Sequence, residues 1–353
     1  MSEPDNFEAV AATAKTGVAS FENPHKGFVS RFHHALHVTP ALVPLIVLVS
    51  AVLVFGVLLG EKFFSPFALT LILQQVQIVG IVAVAQSLVI LTAGIDLSVG
   101  AIAVISSVVM GQFTFRYGLP VEIAVACGLT VGTAIGFVNG WLVAVMKLPP
   151  FIVTLGMWQI VLAGNFLYSA NETIRSQDIA EHAPLLQFLG TKFKIGGAVF
   201  TFGVVFMICL VALLAYVLRH TAWGRHVYAV GDDPEAAELS GVDVTKTLIS
   251  VYAIAGLICA FAGWALIGRI GSVSPTSGQL LNIESITAVV IGGISLFGGR
   301  GSIMGTLFGA LIVGVFTLGL RLIGADAQWT FLLIGVLIIG AVAVDQWIRK
   351  VAA

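Results

Sequence analysis

The chain has 353 residues, of which 58% are hydrophobic and only 10% are charged, and its formal net charge is −1. Soluble globular domains carry about 25% charged residues, so this composition excludes an ordinary soluble protein and indicates an integral membrane protein. A net charge near zero also excludes a general electrostatic attraction to nucleic acid.

Ten apolar segments approach the roughly 20 residues that a helix needs to cross a bilayer. They lie at 41–60, 68–92, 98–115, 120–145, 151–169, 197–217, 247–268, 284–298, 302–320 and 327–346. The sequence therefore predicts an all-α integral membrane protein with about ten transmembrane helices. An even number of spans leaves both termini on one side, and the slight excess of lysine and arginine there favours cytoplasmic termini.

The segments divide the chain into a transmembrane domain, 41–346, and two tails expected in the cytoplasm, 1–40 and 347–353. The first tail is acidic near its start and has no continuous apolar core, so we expect a disordered or surface-bound tail rather than a signal peptide. Residues 170–196 form the longest external loop. It is either a plain surface loop or a contact for an external partner.

A polar loop, 221–246, interrupts the apolar pattern and predicts a short capped helix. Asp232 and Asp233 offer N-cap oxygens, Pro234 suits the first helical position, and Gly241 suits the position after the last turn. Glu235 adds negative charge near the positive end of the helix dipole, and the helix formers that follow it are Ala236, Ala237, Glu238 and Leu239. Such a helix is either a docking surface for another protein or a solvated connector between two spans.

Four stretches resemble the permease subunits of bacterial ABC importers for monosaccharides, the ribose/xylose/fructose-type group. They are GRHVYAVGDDPEAAELSG (224–241), GIDLSVG (94–100), LPPFIVTLG (148–156) and GGISLFGGRGSIMGT (292–306). Their order also matches that family, and the resemblance runs from about residue 40 to the C-terminus. Within the group, the stretches are most similar to fructose import permeases.

The resemblance implies a type II ABC importer-like permease fold in the bacterial inner membrane. It implies a homodimer that binds an ABC ATPase and a periplasmic sugar-binding protein and passes a monosaccharide across the lipid bilayer. The loop 221–246 corresponds to the family's coupling helix, which fits a cleft on the ATPase. The implied coupling residues are Arg225, Asp232, Asp233, Pro234, Glu235, Ala236, Ala237, Leu239 and Gly241.

No cofactor is expected on this chain itself. No lysine follows a glycine anywhere in the sequence, so the GxxxxGK[ST] phosphate loop is absent. We therefore expect ATP–Mg to be used by the partner ATPase. We also expect no metal site and no catalytic residues, because neither a metal-ligand pattern nor a nucleophile motif is found.

Glycines repeat at four-residue spacing in two predicted spans. They are Gly132, Gly136 and Gly140 in one, and Gly301, Gly305 and Gly309 in the other. This spacing places small residues along one helix face, where two backbones can pack closely in lipid. We therefore interpret them as helix-packing glycines.

Two glycine-rich motifs, GIDLSVG and GGISLFGGRGS, separate neighbouring apolar spans. Irregular backbone at membrane depth is tolerated where it is buried in protein or lines a cavity, and broken helices of this kind surround many transport paths. The motifs therefore predict broken or re-entrant helix ends. Asp96 in the first motif either caps the helix that follows it or contacts substrate.

Other polar residues at membrane depth are candidates for the translocation path. Gln75 and Gln86 are eleven residues apart and share a helix face, and amide groups suit sugar hydroxyls because they both donate and accept hydrogen bonds. The full set is Gln75, Gln86, Asp96, Ser98, Asn139 and Gln159. The alternative role for these amides is helix–helix packing.

Three other functions compete with the sugar importer. An ion-coupled secondary transporter would need intramembrane acids, for which Asp96 is the clear candidate. An intramembrane enzyme would need a nucleophile–base or metal pair, and the sequence offers neither. A branched-chain amino acid ABC permease remains the alternative within the wider family.

Overall fold

The computed structural model describes residues 41–352, and the expected tail 1–40 lies outside this range. Thirteen α-helices and one short hairpin make up the described chain. The helices are α1 (Leu42–Leu59), α2 (Pro66–Leu91), α3 (Val99–Phe115), α4 (Val121–Ala144), α5 (Pro150–Ser169), α6 (Ser176–His182), α7 (Phe202–His220), α8 (Ala222–Asp232), α9 (Pro234–Leu239), α10 (Val244–Ile270), α11 (Leu281–Ile291), α12 (Ile303–Ile323) and α13 (Ala327–Ala352). The strands are β1 (Lys192–Ile195) and β2 (Ala198–Thr201), and the 3₁₀ helices are Gly60–Lys62 and Pro184–Gly190.

Seven of the described helices are long and apolar enough to cross a membrane: α1, α2, α4, α5, α7, α10 and α12. Three further apolar helices are shorter, namely α3, α11 and the part of α13 from Gln328 to Ala343. Each of the ten apolar segments in the sequence therefore contains a helix. The chain is a predominantly helical, multi-pass membrane protein.

Two helices form the centre of the bundle. The apolar windows of α2 and α10 are each 67% buried, whereas those of α1 and α5 are only 22% buried. α10 packs against α2, α3 and α4, and α2 also packs against α11 and α12. The outer helices expose large apolar side chains such as Val57, Leu167 and Leu213, which lipid tails accommodate without cost.

The regularly spaced glycines lie where helices approach most closely. Gly132, Gly136 and Gly140 of α4 face α10, and a Cβ atom on Gly136 would lie 3.0 Å from the Cα atom of Gly256. On α12, Gly305 and Gly309 face Gly292 and Ala288 at the end of α11. Gly301 is different, because it precedes α12 and packs over Ile294 with a φ of 129°.

The sequence predicted a single helix over the apolar segment 197–217, but the structure has a strand followed by a helix there. Residues 198–201 form β2 and pair with β1 in an antiparallel hairpin, with Lys192 opposite Thr201. Gly196 and Gly197 both have positive φ values, as a tight two-residue hairpin turn requires. α7 begins only at Phe202, since the Thr201 hydroxyl accepts a hydrogen bond from the Val204 N–H.

The predicted span 284–298 is also shorter than expected. α11 ends at Ile291, and 292–302 is an irregular loop before α12. The cause is local. Gly293, Gly298 and Gly299 adopt positive φ values, which are incompatible with an α-helix and which glycine adopts readily.

At the C-terminus, α13 continues to Ala352. It therefore includes residues that the sequence analysis assigned to a tail.

Candidate functional site

The polar segment Thr221–Lys246 folds into two consecutive helices, α8 and α9. The Thr221 hydroxyl caps α8 by accepting a hydrogen bond from the Gly224 N–H at 3.1 Å. Asp233 caps α9, since its Oδ1 atom accepts from the N–H groups of Glu235 (2.9 Å) and Ala236 (3.0 Å). Asp232 belongs to the last turn of α8, so only one of the two aspartates that the sequence offered as caps has that position.

The end of α9 follows the expected local chemistry. Gly241 has a φ of 85°, and the Val242 N–H donates back to the Ala237 carbonyl at 3.0 Å, as in a glycine-terminated helix. Asp243 then caps α10 and forms an ion pair with Lys246 at 2.8 Å. The hydrogen bonds from Lys246 lower the pKa of Asp243, so this contact persists above the usual aspartate pKa and is lost only as the pH falls through the lowered value.

The outer surface of α9 is exposed. Ala237 alone among its residues is buried, and Leu239 is 91% exposed, the largest exposed fraction among the large apolar side chains of the described residues. Glu235, four residues before this leucine, and Glu238, next to it in the chain, are both exposed. Arg225, on α8, is exposed as well. An exposed leucine beside exposed charged residues on a capped helix is typical of a protein contact surface.

The end of α8 packs against the end of α2 and the glycine-rich loop 292–302. Gly231 lies so close that a Cβ atom there would strike the Leu91 carbonyl oxygen and come within 2.7 Å of the Gly299 N atom. The Gly299 N–H donates to that same carbonyl at 3.0 Å. We call these contacts among Gly231, Leu91, Gly298 and Gly299 the glycine junction. It joins the segment that carries α9 to the end of α2 and to the loop 292–302.

A side-chain hydrogen bond strengthens this connection. The Tyr228 hydroxyl of α8 donates to the Gly301 carbonyl at 2.9 Å, next to the start of α12. A displacement of α8 would therefore act directly on the loops that precede α3 and α12. The sequence gives no local signal for this contact, because its partners are more than 70 residues apart.

Four of the six path candidates meet in one buried polar cluster at the loop 92–98. The Oδ1 atom of Asp96 accepts hydrogen bonds from the Ser98 N–H (2.7 Å) and the Ser98 hydroxyl (2.6 Å). Asn139 of α4 donates to the same hydroxyl at 3.0 Å. Gln86 of α2, with its amide in the orientation that satisfies both ends, donates to the Asp96 carbonyl (2.9 Å) and accepts from the Asp96 N–H (3.2 Å).

The cluster fixes the start of α3. Ser98 is the residue that precedes the helix. Its hydroxyl donates a hydrogen bond to Asp96 and accepts none from the N–H groups of the first turn. One of those groups, the Gly100 N–H, instead donates to the Asn282 side chain of α11 at 2.8 Å. The Thr154 hydroxyl of α5 donates to the Ile95 carbonyl at 2.9 Å. Side chains from three helices therefore bond polar groups of the irregular loop, and Asn282 from a fourth bonds the first turn of α3, as membrane depth requires.

Two buried groups beside this cluster lack partners among the described residues. They are the Oδ1 atom of Asn139 and the hydroxyl of Tyr252 on α10. A Cβ atom on Gly94 would lie 2.7 Å from that hydroxyl, so Tyr252 touches the loop directly. Unpaired buried groups of this kind are costly, so these two atoms are the unsatisfied polar groups beside the cluster among the described residues.

The other two path candidates lie elsewhere. Gln75, in the first half of α2, accepts a hydrogen bond from the Arg269 guanidinium at 2.7 Å. Gln159 is exposed on α5. Gln75 and Gln86 were expected on one face of a helix, but their side chains bond to different residues. Of the six candidates, the structure brings together Gln86, Asp96, Ser98 and Asn139.

The segment between α5 and α7, which the sequence predicts to be an external loop, is ordered. Residues 170–201, which we call the cap segment, contain α6, a 3₁₀ helix and the hairpin. Trp264 of α10 donates to the Leu185 carbonyl at 3.1 Å, and Arg116 pairs with Glu172 at 3.4 Å. The three cysteines, Cys127, Cys209 and Cys259, are free, so no disulfide holds this cap.

Comparisons with known proteins agree with the motifs. The family model described as "Branched-chain amino acid transport system / permease component" matches residues 68–342. The fructose import permease protein FrcC of Rhizobium meliloti is 73% identical over 347 residues, which cover 98% of this chain and 96% of that protein. No solved structure gives a significant match.

More distant relatives are also sugar permeases by name. The ribose import permease protein RbsC of Escherichia coli K12 is 37% identical over 310 residues, covering 87% of this chain and 92% of that protein. The galactose/methyl galactoside import permease protein MglC of Haemophilus influenzae is 33% identical, covering 78% and 85%. These relatives are transport components and not enzymes. This chain belongs to the family of permease components of ABC importers, among the sugar import permeases.

Proposed function

We propose that this chain forms the membrane path of a fructose importer of the bacterial inner membrane. The observation that carries the proposal is the 73% identity, over 98% of the chain, to a protein named as a fructose import permease. The branched-chain amino acid alternative rests on the description of the family model. The relatives compared above are sugar import permeases by name, which favours a sugar over an amino acid as the substrate.

The working unit is two copies of this chain, each with ten transmembrane helices in a type II permease fold and with cytoplasmic termini. Seven long apolar helices and three shorter ones support ten crossings. In this topology the polar segment 221–246 is cytoplasmic and the cap segment is periplasmic. The ATPase binds the first and the sugar-binding protein binds the second.

Docking of the ATPase centres on α9. The exposed Leu239 enters an apolar site on the ATPase, and the exposed charges of Glu235, Glu238 and Arg225 set the orientation of the ATPase. Hydrolysis then displaces α8 and α9 together as a rigid body. The glycine junction passes this displacement to the loops before α3 and α12.

The ion-coupled alternative depends on Asp96. In this structure the Oδ1 atom of Asp96 accepts two hydrogen bonds from Ser98, which is a structural use of the acid. We therefore assign Asp96, Ser98, Asn139 and Gln86 to the positioning of α3 beside the path.

A pull-down in mild detergent tests this assembly. Tagged protein from its native membrane is expected to retain an ABC ATPase, a sugar-binding protein and a second copy of itself. Recovery of the chain alone, with uptake that follows an ion gradient rather than ATP, would contradict the proposal. Uptake that leucine blocks and fructose does not would instead favour the amino acid alternative.

The Glu235→Arg variant tests the docking surface. The substitution places a positive charge at the helix N-terminus, where the dipole is already positive, and at the proposed ATPase contact. Membrane insertion is expected to remain normal, while recovery of the ATPase and uptake both fall. The exposed Glu122→Arg at the start of α4 is the matched control, and equal behaviour of the two variants would refute the docking role of α9.

A further inference from the structure

A narrow crevice lies between α3, α5 and α11, next to the start of α3 that the Asp96 cluster fixes. Its lining includes Gly100 and Ala101 of α3, Trp158 and Asn165 of α5, and Asn282 of α11. The segment 271–280, between α10 and α11, closes one side with Ser277 and Gln279. The cavity volume is about 20 Å³, room for about one water molecule.

The lining has the composition of a sugar site. One aromatic side chain, Trp158, stands among three amides and one hydroxyl. Amides donate and accept hydrogen bonds, which suits vicinal hydroxyl groups, and the indole offers a flat apolar face. A few convergent polar groups on an apolar wall are typical of small-molecule sites.

Asn165 carries the strongest sign of a missing ligand. Its side chain is 1% exposed, and its Nδ2 atom donates to the Pro275 carbonyl at 2.9 Å. Its Oδ1 atom has no hydrogen-bond partner among the described residues. A buried acceptor left unpaired is unfavourable, and a hydroxyl donor in the crevice would satisfy it.

The segment 271–279 has the construction of a lid. Gly271 and Gly278 lie near its two ends with φ values of 84° and 69°, a conformation that favours glycine. Between them, Pro275 receives the Asn165 hydrogen bond. The lid is therefore bonded to α5 through Asn165, and a glycine with positive φ lies near each of its ends.

The lid is also bonded to the cap segment. Val273 and Ile174 exchange two backbone hydrogen bonds, of 3.0 Å and 3.1 Å. Gln187 donates to the Gly271 carbonyl at 2.7 Å. A partner that shifts the cap would therefore pull on the lid directly.

We propose that this crevice is the permease's own contact site for the transported monosaccharide, and that segment 271–279 is the lid that closes it in the present, occluded form. The proposal rests on the proposed function, since it assumes that the chain conducts a sugar. The sugar stacks on Trp158 and donates a hydroxyl to Asn165 Oδ1. Opening requires the lid to move with the cap segment, because a volume of about 20 Å³ is far below the ~300 Å³ of a small-ligand pocket.

Reconstituted transport tests the contact residues. Proteoliposomes that contain the ATPase and receive the sugar-binding protein are assayed for ATP hydrolysis and for uptake of labelled D-fructose. Trp158→Ala and Gln279→Ala are expected to keep hydrolysis stimulated by the loaded binding protein, while sugar moved per ATP falls about five- to tenfold, the range of one lost contact. Trp141→Ala, on an exposed part of α4, is the control and is expected to match the wild type.

Thiol labelling tests the lid without relying on transport rates. In a chain whose three cysteines are replaced by alanine, Ser277→Cys points a thiol at the crevice, whereas its neighbour Thr276 is exposed and outside the lining. During turnover, D-fructose is expected to slow the reaction of Ser277→Cys with a membrane-impermeant maleimide several-fold. The reaction of Thr276→Cys is expected to be unchanged.

The outcomes separate this proposal from the proposed function. If the wild-type complex takes up fructose with ATP but both crevice variants move sugar normally and fructose gives Ser277→Cys no protection, the crevice assignment is wrong and the importer stands. If the wild-type complex itself shows no ATP-driven sugar uptake, the proposed function fails first.

Discussion

Asp233 holds the N-terminus of α9 through one carboxylate oxygen and two backbone N–H groups. Its replacement by alanine removes an N-cap worth about 1 kcal/mol, which for a helix of six residues leaves much of the population frayed. Asp233→Ala is therefore expected to reduce uptake per ATP about fivefold. Uptake and hydrolysis by the reconstituted complex measure this.

The neighbouring aspartate provides the control for that experiment. Asp232→Ala keeps the Cβ atom that packs near Gly299, and the Asp232 carboxylate accepts no cap hydrogen bond among the described residues. It is expected to transport much as the wild type does. Equal losses in the two variants would show that charge, and not capping, is what matters at this position.

Asp96 offers a second test at the scale of one residue. Asp96→Ala leaves both the N–H and the hydroxyl of Ser98 without their buried acceptor, which costs about 1–3 kcal/mol. Asp96→Asn keeps one acceptor oxygen, so its thermal unfolding temperature in detergent is expected to lie between those of the wild type and the alanine variant.

The two Asp96 variants also separate structure from substrate contact. A structural role predicts that the variants that fold keep the wild-type preference between fructose and ribose in competitive uptake. A changed sugar preference in Asp96→Asn, with its stability intact, would place Asp96 in contact with the sugar.

At the scale of the element, α8 is the link between the surface and the bundle. Gly231→Ala gains helix propensity of up to about 1 kcal/mol, but the new methyl group would press on the Leu91 carbonyl and the Gly299 N atom. Overpacking costs about 1–3 kcal/mol, so the net effect is expected to be unfavourable. Uptake should fall, and the loss should exceed any loss of ATPase binding.

Gly156→Ala in α5 is the matched control, because a Cβ atom there meets nothing within 4 Å. This variant is expected to be neutral or slightly stabilised in thermal unfolding. If Gly231→Ala transports as well as Gly156→Ala does, the glycine junction does not transmit the movement of α8.

The start and end of α9 could be predicted from the sequence, because the residues that determine them lie close together in the chain. Asp233, Pro234 and Gly241 place the start and the end of α9 by rules that involve only neighbouring residues, and the structure has α9 at 234–239. Residues 197–201 were misassigned, because a continuous apolar run hides a strand beside a helix. The deciding feature there is the glycine pair that turns the hairpin.

Contacts between segments that are far apart in the chain could not be predicted from the sequence in this way. Asn282 meets Gly100 across 182 positions, and Asn165 meets Pro275 across 110. Neither asparagine belongs to a sequence motif that indicates its partner. Trp158 cannot be distinguished by sequence from the other apolar residues of its span. The buried cluster around Asp96 was predicted in part, since its members are polar residues at membrane depth, which are rare enough to be noticed.

At the scale of the whole molecule, the two ends of the bundle are mechanically connected to its middle. The polar segment contacts the loops before α3 and α12 through the glycine junction. The cap segment is bonded to the lid over the crevice. α10 joins the two ends, because it begins beside α9 and ends at the lid. Alternating access in this account is a rocking of α10 with its neighbours, driven from the polar segment.

The central claim is that this chain conducts fructose under the control of a separate ATPase. The most direct measurement is uptake of labelled D-fructose by proteoliposomes that hold the chain and its ATPase, with and without the binding protein and ATP. We expect uptake only when ATP and the binding protein are both present, and we expect Glu235→Arg to abolish it. Uptake by the chain alone that follows an ion gradient would contradict the account.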